Sequence, residues 1–347
     1  MRGQSVRRLR SAAATWSALT AALGVVAALG VFVFESPAQR VVIEYLILVG
    51  LVVAIQTFVG ASGILSFGHL AFVGASAYAV ALVTIPTEQK ARLLPELPEW
   101  LVGLELGLLG AVAVGVLAAS ILAAVTGAVL PKMEQFPMAM ATLAVLVMMH
   151  TIFANWETVT RGTIGILGIP QLVDIPVAFG AAVVVVAVSV AFQASAAGLR
   201  LQAVREDEVA ASALGISVVS ARRTGWLVSG ALTGAAGAIW ALNNVAYGPD
   251  QFFFADTFTL LSMLVIGGMR SVPGAVVGAA VVTVVSQLLR TVENGFSIGP
   301  IQVAEFPGVV QLAIALVILV VLVVRPDGIV RGEWISLARR LRGRAGR

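Results

Sequence analysis

The sequence predicts an all-α integral membrane protein of about ten transmembrane helices, some of them interrupted. Three observations carry this. Of 347 residues, 59% are hydrophobic and 12% charged, against about 25% charged in an ordinary soluble domain. The apolar residues form continuous runs close to the length of a bilayer-crossing helix, about 20 residues, and not the short alternating segments of a membrane β-barrel. The arginines gather in three polar stretches: Arg2, Arg7, Arg8 and Arg10; Arg200, Arg205, Arg222 and Arg223; and Arg325, Arg331, Arg339, Arg340, Arg342, Arg344 and Arg347. The excess of positive charge on cytoplasmic segments of membrane proteins puts these stretches, and so both termini, on the cytoplasmic side.

The runs lie near 12–34, 41–60, 67–85, 101–127, 137–154, 176–195, 225–246, 257–268, 273–290 and 307–324. Ten crossings return both ends to one side, and six bring the polar stretch 198–223 back to it. The chain therefore divides into a short tail (1–11), a multi-span domain (12–324) and a basic tail (325–347). The run at 12–34 follows a basic start, but it is too long for a secretory signal and reads as an uncleaved first span.

Two runs are broken. Gly60, Gly63, Ser66, Gly68 and His69 open the third. The eighth is only about half a span at 1.5 Å per residue and ends at Gly267-Gly268-Met-Arg-Ser-Val-Pro273-Gly274, so two half-elements meeting at a turn are expected. Irregular backbone at membrane depth is tolerated where it is buried in protein or lines a cavity, and interrupted segments in both halves of a transporter point to its path. Ser66, Gly68, His69, Gly267 and Gly268 are therefore the candidate pathway residues. The competing reading is that the glycines only let helices approach closely, and that His69 is a satisfied structural histidine. That close-packing reading suits Gly230, Gly234 and Gly237, and Gly274 with Gly278.

Three connections are expected on the outside: 86–99, rich in charge and proline and read as a plain connection; 155–176, where Thr160, Arg161, Gly162 and Gly165 mark a tight loop; and 294–305. Glu44, Glu105 and His150 fall near span ends and read as interfacial groups.

No catalytic constellation is present. The Gly-x-x-x-x-Gly-Lys-Ser/Thr loop that cradles nucleotide phosphates is missing, as are the Gly-x-Ser-x-Gly and His-Glu-x-x-His patterns. The chain has no cysteine and two histidines 81 positions apart, so no metal cluster is readable. Its net charge of +4 serves topology and lipid contact. A nucleic-acid role is excluded for want of a basic fold with interleaved aromatics.

The polar stretch between apolar runs needs its own explanation. Over 205–215 it reads as one short helix. Arg205 and Glu208 pair across a turn, Ala203, Ala210 and Leu214 fall on the opposite face, and Gly215 ends it. Such a segment suits insertion into a groove of a soluble partner. A helix lying on the membrane is the alternative, against which the acidic run Glu206-Asp207-Glu208 argues by repulsion from anionic headgroups.

Residues 205–216, REDEVAASALGI, resemble the cytoplasmic segment of the LivM-type branched-chain amino acid ABC permeases. Residues 63–78, GILSFGHLAFVGASAY, are similar to that family's glycine-serine-glycine-histidine segment, residues 265–278 to its glycine-glycine turn, and 156–170 to its loop ending in Gly-Ile-Pro. The resemblance spans most of 60–327. It departs at Glu208, one position earlier than the family's glutamate, with Val209 in its place, and at Arg161, where glycine is commoner. It implies ABC importer permease architecture in a bacterial inner membrane. The expected partners are a LivH-type second permease subunit, two ATPase subunits docked on Arg205, Glu208, Ala210, Ala211, Leu214 and Gly215, and an extracytoplasmic substrate-binding protein. ATP and magnesium would sit on the ATPases and no cofactor on this chain. Branched-chain or other hydrophobic amino acids are the implied substrates. An importer of urea or short amides, and an ion-driven secondary transporter, are the alternatives.

Overall fold

A computed structural model describes residues 2–293, 296–298, 301–303, 308–325 and 327–330. Its helices are α1 (Arg2–Phe32), α2 (Ser36–Ser62), α3 (His69–Thr84), α4 (Thr87–Leu93), α5 (Glu99–Val102), α6 (Leu108–Thr126), α7 (Gln135–Asn155), α8 (Glu157–Thr160), α9 (Ile175–Ala194), α10 (Ala196–Glu206), α11 (Glu208–Ala213), α12 (Val218–Asn243), α13 (Phe254–Gly267), α14 (Val272–Glu293) and α15 (Val309–Val324). Two small antiparallel ribbons pair β1 (Ile166–Leu167) with β2 (Ala246–Tyr247), and β3 (Phe296–Ile298) with β4 (Ile301–Val303).

Each of the ten apolar runs is a helix. Among the described residues, eight helices are long and apolar enough to cross a membrane singly. The other two, α3 and α15, have 16 residues each, and α3 passes into α4 through a bend of 118°. The connections fall at two ends of the bundle. One end carries α4, α5, α8 and both ribbons; the other carries α10, α11 and the turn between α13 and α14. The basic tail beyond Val330, and part of the 294–305 connection including Glu305, lie outside the described residues.

Small residues set how the helices meet. On α12, Gly230 and Gly234 lie against Ala123 and Ala119 of α6, and Gly237 against the backbone of Val73 in α3. Ser76 of α3 donates to the Gly234 carbonyl at 2.7 Å. Helices packed without Cβ atoms between them bring backbones together, which supplies van der Waals contact where lipid gives no hydrophobic driving force. With α2 packed on its remaining side, α12 forms the centre of the bundle. Buried Trp226 anchors it, donating from Nε1 to Thr126 Oγ1 at 2.9 Å.

The tightest pair is α13 and α14. A Cβ on Gly278 would overlap the Met263 carbonyl oxygen, and one on Gly267 that of Gly274. Gly268, at φ +113, turns the chain, and Ser271 Oγ accepts the Gly274 amide at 3.1 Å to start α14. The expectation of two half-elements is corrected here. α13 is short, with 14 residues, but a 3₁₀ turn (Pro249–Phe252) lengthens it, and α14 is a full helix of 22 residues. The turn lies level with the last turn of α2, where Gln56 Nε2 donates to the Met269 carbonyl at 3.2 Å. Residues 327–330 fold back over it: the amides of Ile329 and Val330 donate to the carbonyls of Ile266 and Gly267 at 2.9 and 3.0 Å.

Gly278→Val is expected to force α13 and α14 apart, at a cost of about 3 kcal/mol or more. Thermal unfolding of the detergent-purified protein checks this; an unchanged midpoint would show that the hairpin tolerates the spacing.

Candidate functional site

The first candidate region is the break between α2 and α3. Gly63, at φ +73, closes α2 with its amide on the Val59 carbonyl. Ser62 Oγ accepts the Ile64 amide at 3.1 Å, and Thr142 Oγ1 of α7 accepts the Phe67 amide at 3.1 Å. Gly68 lies against the Thr142 backbone, where a Cβ would come within 2.7 Å of its oxygen. Ser66 and Gly68 are thus buried against protein, while Gly63 and Leu65 stay exposed.

His69, the first residue of α3, is 1% exposed. Its Nδ1 lies 2.8 Å from Ser66 Oγ and its Nε2 2.8 Å from Ser229 Oγ. The Ser229 hydroxyl gives its own proton to the Ala54 carbonyl, 2.7 Å away, so its oxygen accepts from Nε2–H, and Nδ1 is left to accept from Ser66. This is a neutral imidazole with both nitrogens satisfied, and it ties α2, α3 and α12 together. Phe58, Phe72 and Trp226 enclose it with ring centroids 5.1–6.2 Å away. Packed in this way, the ring faces protein on every side described and not an open path. Gly267 and Gly268 are likewise packed, against α14 and against residues 327–330.

A buried polar cluster that sequence reasoning did not single out joins α2 to α9. Thr57 Oγ1 and Ser189 Oγ are 2.7 Å apart, and Gln193 Nε2 donates to Gln56 Oε1 at 2.7 Å. Since Gln56 also reaches Met269, this cluster runs to the α13–α14 turn.

The polar stretch 198–223 differs from its expected form. It is two helices and not one, broken at Asp207, whose extended backbone and side chain cap α11 by accepting the Ala210 amide at 2.8 Å. Gly215, at φ +79, ends it as expected, with the Ile216 amide on the Ala211 carbonyl. The break turns Arg205 and Glu208 away from each other. Arg205 pairs instead with Glu206 at 2.6 Å and donates to the Gly60 carbonyl at 2.6 Å; its guanidinium holds the Glu206 carboxyl below the usual carboxylate range. Glu208 pairs with Arg222 at 2.6 Å. Arg222, 2% exposed, also donates to the Met133 carbonyl at 3.1 Å. Beneath the helices Leu201, Val204, Ala211 and Ala221 form a small core of their own with Ala61 and Phe192. Val209 and Leu214 face outward, each 80% exposed, and Ala210 is exposed beside them while Ala211 is buried.

At the opposite end, Thr160 is buried and donates to the Phe153 carbonyl at 2.6 Å while its oxygen takes the Gly162 amide. Arg161, at φ +61, is the one left-handed non-glycine residue among those described; its guanidinium donates to the Gly165 carbonyl at 3.2 Å. Gly165 packs on the Tyr247 backbone where β1 meets β2. The 86–99 connection is more than a plain link. Lys90 is fully buried, and its ammonium donates to the carbonyls of Leu101 and Leu104 at 3.1 and 2.7 Å, closing α4 over α5. Glu105 accepts from Thr87, and those hydrogen bonds hold its carboxyl below the usual range. Glu44 meets Arg290 at 3.4 Å, and His150 meets Asp250 at 3.1 Å.

The family profile described as the branched-chain amino acid transport system / permease component matches residues 38–323. The chain belongs to this family. It is 38% identical over 100 residues to the high-affinity branched-chain amino acid transport system permease protein LivM of Salmonella typhimurium and 37% identical over 100 residues to that of Escherichia coli; each match covers 29% of this chain and 23% of the relative. A probable branched-chain amino acid transport permease protein LivH of Methanocaldococcus jannaschii is 26% identical over 147 residues, 42% of this chain and 44% of the relative. The chain thus aligns with about a quarter of each LivM protein. No solved structure matches. Family and helices together make it a multi-pass membrane protein and a transporter component.

His69→Leu leaves Ser66 and Ser229 without their shared partner and is expected to destabilise the bundle by about 1–3 kcal/mol, the cost of stranding buried polar groups. A fall in the thermal midpoint of the purified protein supports the structural role. An unchanged midpoint with altered transport would return His69 to the pathway.

Proposed function

We propose that this chain is a transmembrane permease subunit of an ATP-driven ABC importer for branched-chain or other hydrophobic amino acids. The observation that carries the reading is the surface of α11. Two apolar side chains, Val209 and Leu214, stand out on a charged end of the bundle, on a helix held from below by its own small core. An apolar knob with a polar rim, on a preformed helix, suits docking into a groove on a soluble protein. In this reading the soluble partners are two ATPase subunits, which hold the ATP and magnesium. A LivH-type permease completes the pore, and a binding protein delivers substrate to the end carrying α4, α5, α8 and the ribbons. The α10–α11 end and both termini are cytoplasmic, in a bacterial inner membrane. This chain's residues take docking and transmission; no chemical step is assigned to them.

The docking surface separates cleanly from the ion pairs. Val209→Asp with Leu214→Asp is expected to abolish co-purification of the ATPases at unchanged thermal stability, because neither side chain packs into the bundle. Retained co-purification would move the docking site elsewhere.

The function itself is tested by uptake of radiolabelled leucine into proteoliposomes holding this chain with its co-encoded permease, ATPases and binding protein. Uptake that requires ATP supports the reading. ATPase stimulation by the loaded binding protein without leucine uptake would direct attention to urea and short amides. Uptake by the lone chain under an ion gradient would replace the reading with a secondary transporter.

A further inference from the structure

Besides its small apolar core, the α10–α11 unit meets the rest of the bundle at two arginines built alike, Arg205 on α10 and Arg222 on α12. Each has an acidic neighbour at 2.6 Å and a backbone carbonyl as second acceptor: Arg205 with Glu206 and the Gly60 carbonyl, Arg222 with Glu208 and the Met133 carbonyl. The two carbonyls belong to different helices. Gly60 lies in the last turn of α2, and Gly63 just beyond it rests against the Arg205 side chain, within 2.7 Å of where a Cβ would stand. Met133 precedes α7, whose Thr142 accepts the Phe67 amide and backs Gly68. One arm therefore ends beside the irregular segment 63–68, and the other on the residue that leads into α7, the helix that meets that segment through Thr142.

We propose that Arg205 and Arg222 are positioning residues that carry displacement of the docking helices to the α2–α3 break, Arg205 directly at Gly60 and Arg222 through α7. The proposal rests on the permease reading above. A helix docked by its exposed face alone would be held only by this small, non-directional apolar core. Two guanidiniums, each fixed by a fork of donors to an acid and a carbonyl, tie it to α2 and, from α12, to the residue before α7. Breaking one arm should then uncouple ATP use from transport in complexes that still hold the ATPases, a loss that a merely structural contact would not show.

The test uses the complete complex in proteoliposomes and reads leucine uptake per ATP hydrolysed. Glu208→Gln releases the Arg222 arm at a partly exposed position and leaves Val209 and Leu214 untouched. Thr142→Val, nearly isosteric, cuts the same arm at its far end. Each is expected to lower uptake per ATP, read on complexes that retain the ATPases, at least about fivefold, the small end of ordinary allosteric coupling, alongside the lower thermal midpoint that a stranded buried donor brings. Combined, they should do no worse than the deeper of the two, since both interrupt one arm. Adding Arg205→Gln should deepen the loss. An unchanged ratio in either assembled variant overturns the Arg222 arm, and an equal loss in Trp226→Phe, which lowers the midpoint by removing a bond outside the arm, reduces the contacts to packing. A wild-type complex that moves leucine without ATP removes the importer reading itself, and this link with it.

Discussion

A helix that stops among apolar side chains leaves amides and carbonyls that water cannot reach, and each must find a partner in the protein. This chain stops helices in two such places, and the partners come from elsewhere in the fold. At the α2–α3 break the Phe67 amide is met from α7, and the carbonyl of Gly60 from α10. At the α13–α14 turn the carbonyls of Ile266, Gly267 and Met269 are met by Ile329, Val330 and Gln56. Closing the breaks is therefore also what brings distant segments together. The glycines serve the same end: at Gly267 and Gly278 only a missing Cβ lets one helix come close enough to the other.

Charge is handled by the same rule. A buried guanidinium carries a desolvation penalty of several kcal/mol, which is recovered only where geometry is good and the remaining donors are used. Arg222 meets both conditions, with an acid on one side and a carbonyl on the other. Lys90 solves the problem without any acid at contact distance: the carbonyls of Leu101 in α5 and Leu104 just beyond it receive its ammonium. His69 avoids it altogether, since the relay from Ser66 to the Ala54 carbonyl requires only a neutral ring.

What the sequence makes legible follows from range. Run length and composition are local, and all ten expected runs are helices. Gly63, Gly215 and Gly268 end helices at positions where glycine is plainly marked. The pairing of Arg205 with Glu208, inferred from helical spacing, fails because Asp207 breaks the helix between them. That break had a local sign, since aspartate is a favoured first cap and Glu208 follows at the helix start. The partners of Arg222 had none: Glu208 lies 14 positions away and Met133 89, and no periodicity links them. Lys90 misled for the opposite reason, because a lysine in a charged, proline-rich connection looks solvated until the carbonyls that receive it are placed. His69 was visible as an ionisable group in a broken segment, but whether such a group lines a path or closes a core depends on Ser229, 160 positions on.

The helix most affected by these long-range bonds is α7. One end is held where Met133 meets Arg222, and the middle where Thr142 meets Phe67. At the other end His150 stacks on Phe253 with ring centroids 4.0 Å apart and bonds Asp250, while Thr160 caps the Phe153 carbonyl. Along its length much of α7 presents large apolar side chains outward, Phe136, Met140, Val147, Met148 and Ile152 among them. Directional bonds thus hold α7 at both ends and near its middle, while its sides turn large apolar groups outward. That arrangement links the two ends of the bundle through one element, and it joins the α2–α3 break to that element at Thr142.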